Sequence, residues 1–81
     1  MEKQERNFTM PLCFGQPGHS YKIVHISQND KLRRHLGHLG LVENETISLQ
    51  QSIRQNLIIE VKGSRIALDR QLASRIQVQE A

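Results

Sequence analysis

Two histidines of this chain are spaced so that both could bind one metal ion. His35 and His38 are three positions apart in a segment with helical periodicity, so their imidazoles would share one face of the helix. Two imidazoles alone make a weak site, because a first-row ion takes three or more protein ligands held in place by further hydrogen bonds. No acidic third ligand stands beside them in the sequence. We therefore expect no resident metal and no cofactor, and keep the pair as a weak alternative metal site.

Residue patterns typical of catalysis are missing from the sequence. It contains no recognisable Ser-His-Asp or Cys-His arrangement and no glycine-rich loop followed by Lys-Ser or Lys-Thr. Asp30 and Asp69 stand where helical turns begin, and a carboxylate there is explained by capping. Cys13 is expected to behave as a small apolar residue. A chain of 81 residues also has a thin core. We predict a binding module and not an enzyme.

The segment around residues 32–42 is predicted to be a short amphipathic helix. Asn29 or Asp30 can cap its start, and Gly40 can end it in the left-handed conformation. Its apolar residues recur at i, i+4 and i+7: Leu32, Leu36 and Leu39. A helix of two to three turns is unstable alone, so it must pack on the rest of the fold.

The same helix carries the residues that we expect to contact a partner protein. The Arg33-Arg34 pair, with His35, is the densest cationic spot of the chain and suits an acidic partner. Gly37 would open a notch that leaves apolar side chains within reach of a partner. The predicted contact set is Arg33, Arg34, Leu36, Gly37 and Leu39. A solvated basic face with leucines that pack only on the core is the alternative, and the sequence leaves it open.

Five strand-forming segments surround the helix. They are rich in β-branched or alternating apolar residues and are separated by short turns. The segments are residues 21–26, 45–53, 57–61, 65–68 and 75–78. Gln51 interrupts the apolar face of the second segment, which predicts a strand end or a bulge nearby. The fold class is therefore mainly β, a small, partly open barrel of about five strands with one short α-helix after the first strand. We expect residues 1–8 to be an N-terminal tail and residues 9–81 to form the single domain.

Composition narrows the choice of partner and compartment. The net charge is +3 and the basic residues are scattered, whereas nucleic-acid binders concentrate them in one patch. A single cysteine excludes an intramolecular disulfide and fits a reducing compartment. No apolar run approaches the length of a membrane-spanning helix, and the N-terminus has no apolar signal core. We predict a cytoplasmic location, no nucleic-acid partner and no direct membrane insertion.

The ordered set of motifs resembles the ferrous iron transport protein A (FeoA) family, whose fold is an SH3-like barrel. No single motif is specific, but together they span residues 9–78 at matching spacings. They are Met10-Pro11-Leu12, Pro17-Gly18, the strand segment Tyr21 to Ile26, the Leu32-x-x-x-Leu36-x-x-Leu39-Gly40-Leu41-Val42 segment, Ile66-Ala67-Leu68, and Ala73-Ser74-Arg75-Ile76-x-Val78. The chain departs from the family where Glu43-Asn44 replaces the usual Pro-Gly, and at Gly37, where a bulkier residue is common. Asn44 is expected to take a positive φ in that turn, because Asn tolerates the left-handed region better than most residues other than glycine.

The resemblance implies an accessory role in bacterial ferrous iron uptake. The expected partner is the cytosolic domain of a FeoB-type membrane transporter, which carries a GTP-binding domain. The alternative is a metal-responsive regulatory SH3-like module that self-associates or partners a metal-dependent repressor. In that case a third ligand from another chain would complete the His35–His38 pair. A homo-oligomer is compatible with either function.

Overall fold

The computed structural model describes residues 8–27 and 29–81. Residues 1–7 of the predicted N-terminal tail therefore lie outside the described part of the chain. The elements in chain order are β1 (Met10–Pro11), a 3₁₀ turn (Leu12–Phe14), β2 (Ser20–Ile26), α1 (Asp30–His38), β3 (Thr46–Ile53), β4 (Asn56–Val61), β5 (Ser64–Asp69), α2 (Arg70–Ala73) and β6 (Ile76–Glu80). The six strands form one antiparallel sheet in the order β1-β6-β2-β3-β4-β5.

The mainly β fold class, with one longer helix after the first long strand, is confirmed. The five predicted strands are β2 to β6, and a 3₁₀ turn follows Pro11. The sequence analysis missed β1, in which Met10 pairs with Val78 and Pro11 with Gln77. Proline has no N–H for a ladder bond, so it occurs in strands mostly at sheet edges, where β1 lies.

Two register shifts bend the sheet and change which side chains face the core. The shift in β3 lies between Leu49 and Gln51, which confirms the irregularity predicted from Gln51. The shift in β2 lies between Ile23 and His25, and it leaves Val24 and His25 both exposed. These two residues therefore lie on the outer surface of β2.

One apolar cluster holds the sheet and α1 together. Its largest fully buried side chains include Tyr21, Leu12, Ile23, Leu36, Leu41, Ile47 and Leu49. The Tyr21 hydroxyl accepts a hydrogen bond of 2.9 Å from the backbone N–H of Gln16, so its one polar atom is satisfied. Every fully buried residue in the described ranges is apolar, so the interior holds no charged group.

Both ends of α1 are closed by local hydrogen bonds. The Asn29 side chain caps the start, with its Oδ1 accepting a 3.1 Å bond from the N–H of Leu32, so Asn29 and not Asp30 is the cap. Gly40 has a φ of +92° and Leu41 donates to the Leu36 carbonyl, which is a Schellman motif. The next turn uses Asn44 at a φ of +75°, as the sequence predicted. No helix within the described ranges is long and apolar enough to cross a membrane.

Candidate functional site

Leu36 anchors α1 to the sheet. Its side chain is fully buried in the core cluster, whereas Leu32 is half-buried and Leu39 is 36% exposed. The placement of Leu36 in the predicted contact set was therefore wrong, because a partner cannot reach a side chain that is already packed on all sides. Leu39 remains accessible at the C-terminal end of the helix.

Arg33 ties α1 to the neighbouring strand and loop. Its Nη1 donates to the Ile26 carbonyl at 3.3 Å and lies 3.8 Å from Oε2 of Glu43. The same carboxylate oxygen lies 3.7 Å from Nδ1 of His25. The sequence analysis grouped Arg33 with Arg34 as a docking cation, but the structure gives Arg33 intramolecular partners. Its main contribution is to fix the orientation of the helix.

Gly37 lies half-buried beside the loop that follows the helix. A methyl group added there would lie 4.0 Å from Cγ1 of Val42, an ordinary van der Waals distance. The predicted notch therefore exists as a gap about one methyl group wide, and it opens toward Val42, which is 43% exposed. It does not uncover Leu36.

The outward side of α1 is a basic face, defined here as Lys31, Arg34, His35 and His38. All four residues are exposed and follow one another at i, i+3 and i+4 spacings, so their side chains are neighbours. None of them makes an ion pair or a side-chain hydrogen bond with any other residue of the 8–27 and 29–81 ranges. The sequence analysis overlooked Lys31, although its spacing to Arg34 and His35 was the available signal.

Among the described residues, no third ligand lies beside the histidine pair. Within the described ranges no group of three His, Cys, Asp or Glu side chains is arranged to hold a metal ion. His19 and His25 each lie 3.7 Å from one carboxylate, of Glu80 and Glu43 respectively. Cys13 is a half-buried free thiol packed against the core cluster, in line with an apolar role.

An open groove runs between the two helices. It has a volume of about 360 Å³ and is lined by Asn29, Leu32, Asp69, Gln71, Leu72 and Arg75. Its apolar lining comes from Leu32 and Leu72, and not from Leu36 or Leu39, the leucines of the predicted contact set. The Asp69 carboxylate accepts a 2.8 Å bond from the N–H of Leu72, so it serves as the cap of α2.

Comparison with known proteins decides the family. The chain matches the model of the FeoA domain over residues 10–80. It belongs to the FeoA family. A crystal structure of an iron uptake regulatory protein (FeoA) has 31% sequence identity and a TM-score of 0.84, and the match covers 91% of this chain and 99% of that one. No curated protein sequence matches significantly.

More distant structures share the fold of this FeoA-family chain. A FeoA-like protein from Clostridium acetobutylicum is 18% identical, with a TM-score of 0.82 over 94% of this chain and 90% of that one. The IdeR of T. acidophilum is 20% identical, with a TM-score of 0.82 over 98% of this chain but 37% of its own. The expected SH3-like fold is confirmed, and in the IdeR structure it is one part of a longer chain.

Proposed function

We propose that this protein is a non-enzymatic accessory protein of ferrous iron uptake. It acts in the cytoplasm by binding the cytosolic part of the GTP-binding ferrous iron transporter. The match to the FeoA family over residues 10–80 carries the proposal. The 31% identical relative, named an iron uptake regulatory protein, supports the same process.

The geometry of α1 supports binding as the mode of action. The helix projects an exposed face from a small sheet, and the buried Leu36 side chain, the Asn29 cap and the Arg33 contacts fix its position. A surface that is already ordered loses little conformational freedom when a partner binds. The partner surface in this proposal consists of the exposed side of α1 and the adjoining end of β2, where Val24 is 37% exposed.

Titration calorimetry with the purified cytosolic domain of the transporter tests the proposal. The domain is loaded either with GDP or with a non-hydrolysable GTP analogue, and this protein is injected. We expect saturable binding in at least one nucleotide state. The matched control is the isolated SH3-like domain of a metal-dependent repressor, which shares the fold and should not bind. Absence of binding by folded protein in both nucleotide states would reject the proposal.

The alternative function is a metal-responsive regulatory module. His35 and His38 are both exposed on one side of α1, so a second molecule could reach them and supply a third ligand. Anaerobic titration with Fe(II) measures this directly. Binding that is lost in the His35→Ala/His38→Ala variant, together with dimerisation on metal addition, would favour this alternative over the accessory role.

A further inference from the structure

We infer that the basic face of α1, together with Leu39 at its end, recognises an acidic protein segment that carries an apolar side chain. This inference rests on the proposed function and names the chemistry of the partner surface. Lys31 and Arg34 supply the permanent charges, and His35 and His38 supply further N–H donors. Leu39 lies four positions after His35, so it borders the basic face and offers an apolar contact.

The distribution of partners among the charged side chains singles out this face. Five of the six acidic residues in the described ranges already make an ion pair or a side-chain hydrogen bond within the molecule. Three of the basic residues also make an ion pair or a side-chain hydrogen bond: Arg33, Lys62 and Arg70. The only acidic residue of α1 is Asp30, at its first position, where a carboxylate suits the helix dipole. No ion pair within the described residues therefore neutralises Lys31 or Arg34 on the outward side of α1.

The number of charges favours a protein partner over a membrane or a nucleic acid. Lipid-binding basic clusters hold about four to eight Lys or Arg residues, each worth about 1 kcal/mol near an anionic surface. The basic face has two, Lys31 and Arg34. Arg65 lies on β5, and Arg75, between α2 and β6, borders the groove beside the start of α1 and brings the count to three at most. A patch of this size matches the acidic side chains of one protein segment, for which complementary charge sets the register and the association rate.

The position of α1 is fixed independently of the basic face. Arg33 and Gly37 lie on the flank toward the loop after the helix, where Arg33 contacts Glu43. The buried Leu36 side chain holds the opposite side of the helix on the core. Charge reversal on the outward side therefore leaves these contacts in place, and the variants used to test the inference should fold.

Binding of charge-reversed variants to the transporter's cytosolic domain tests the inference. The test variant is Lys31→Glu/Arg34→Glu, and the matched control is Lys22→Glu/Arg65→Glu, which makes the same change in net charge on β2 and β5. We expect the test variant to lose about tenfold or more in affinity and the control to stay within about twofold of wild type. Far-UV circular dichroism and thermal melting establish that both variants are folded.

A second measurement separates failure of the inference from failure of the proposed function. Amide chemical shifts of ¹⁵N-labelled protein are followed while a deca-glutamate peptide with one central leucine is added. Shifts concentrated at Lys31, Arg34, His35, His38 and Leu39 support the inference, even if the transporter domain does not bind. Shifts spread evenly over the arginines of other elements overturn it. Equal binding of the transporter domain by wild type and by the Lys31→Glu/Arg34→Glu variant also overturns it, and leaves the accessory function standing.

Discussion

At the residue scale, Arg70 joins parts of the molecule that are far apart in sequence. Its Nη1 donates to the Cys13 carbonyl at 3.0 Å, and its Nε donates to the Arg54 carbonyl at 2.7 Å. Its Nη2 donates to the Ser52 hydroxyl at 2.5 Å. The guanidinium thereby connects the 3₁₀ turn, the β3–β4 hairpin and α2. No carboxylate of the described residues contacts this guanidinium group, so its charge is offset by carbonyl and hydroxyl oxygens alone.

Replacement of Arg70 should destabilise the fold more than replacement of any other surface arginine. We expect Arg70→Ala to lower the free energy of unfolding by about 2–3 kcal/mol, because several hydrogen bonds to a charged group are lost and two carbonyls lose a partner. Arg70→Lys should recover only part of this, since an ammonium group cannot reproduce the planar fork. Urea denaturation measures both changes.

The matched control for Arg70 is Arg65→Ala. Arg65 is exposed on β5 and has no side-chain partner within the described ranges, so its removal should change stability by less than about 0.5 kcal/mol. Similar losses at the two positions would show that the contacts of Arg70 contribute nothing specific. The role of Arg70 was not foreseeable from the sequence, because one of its acceptors lies 57 positions away.

The stability lost when Leu36 or Leu39 is replaced should depend on the burial of the side chain and not on the helical spacing that the two leucines share. Leu36→Ala removes a fully buried side chain and should cost about 2–4 kcal/mol, the sum of lost transfer energy and the cavity left behind. Leu39→Ala should cost less than about 1 kcal/mol, because its side chain is 36% exposed. Thermal and urea unfolding of the two variants give the comparison. Equal losses would contradict the anchoring role assigned to Leu36.

At the element scale, Gly37 inside α1 and Gly40 just after it should respond to alanine in opposite directions. Gly37→Ala should raise the free energy of unfolding by about 0.5–1 kcal/mol, because alanine is the better helix former and the added methyl meets only Val42 at 4.0 Å. Gly40→Ala should lower it by about 1 kcal/mol or more, because the φ of +92° strains any residue with a Cβ.

Paired urea titrations of the two glycine variants check this prediction. Because both substitutions add the same methyl group, any shared effect on the unfolded chain cancels in the comparison. The prediction is contradicted if Gly40→Ala raises the free energy of unfolding, or if Gly37→Ala lowers it more than Gly40→Ala does. Either result would show that the C-terminus of α1 does not depend on the left-handed glycine. Gly37→Ala also narrows the notch beside Val42 without changing charge.

Local signals in the sequence predicted α1 and its ends well. The leucine spacing, a polar residue before the helix and Gly40 after it all act within one short segment, and the cap is Asn29, one of the two residues predicted for it. The positive φ of Asn44 followed from the same local reasoning. Such features depend on neighbours a few positions away, so the residue types are sufficient to specify them.

Features that depend on tertiary contacts were predicted less well. Spacing placed Leu36 and Leu39 on the same stripe, but the depth of burial is decided by what lies under each side chain. Arg33 and Arg34 are adjacent in sequence, yet only Arg33 reaches Glu43 and the Ile26 carbonyl. A single sequence contains no information on these pairings. The docking surface that we propose therefore differs from the set predicted from the sequence and centres on Lys31, Arg34 and the two helix histidines.

At the scale of the whole molecule, the sheet ends in two strands with one partner each. The short strand β1 pairs only with β6, and β5 pairs only with β4 among the described strands. The Lys62-Gly63 turn, with φ values of +51° and +81°, links β4 to β5 in the manner of a type I′ hairpin. Arg65 is exposed on β5, and a charged side chain on an edge strand opposes pairing with another molecule.

Removal of the Arg65 charge from strand β5 should promote self-association of the protein. We expect Arg65→Val/Ala67→Val to sediment as a larger species than wild type at equal concentration, because both positions are exposed on β5 and the change makes its outward face apolar and β-prone. The matched control is Lys22→Val on β2, which loses the same charge but is paired with β3 and β6 on its two sides. Sedimentation velocity compares the three proteins.

The control decides whether the edge or the general loss of charge drives association. If Lys22→Val associates as strongly as Arg65→Val/Ala67→Val, then reduced net charge explains the effect and β5 has no special tendency to pair. If only the β5 variant associates, the strand edge is the contact, and Arg65 acts to prevent it. That result would also separate self-association from partner binding, because the basic face of α1 is unchanged in the β5 variant and its affinity for an acidic segment should be retained.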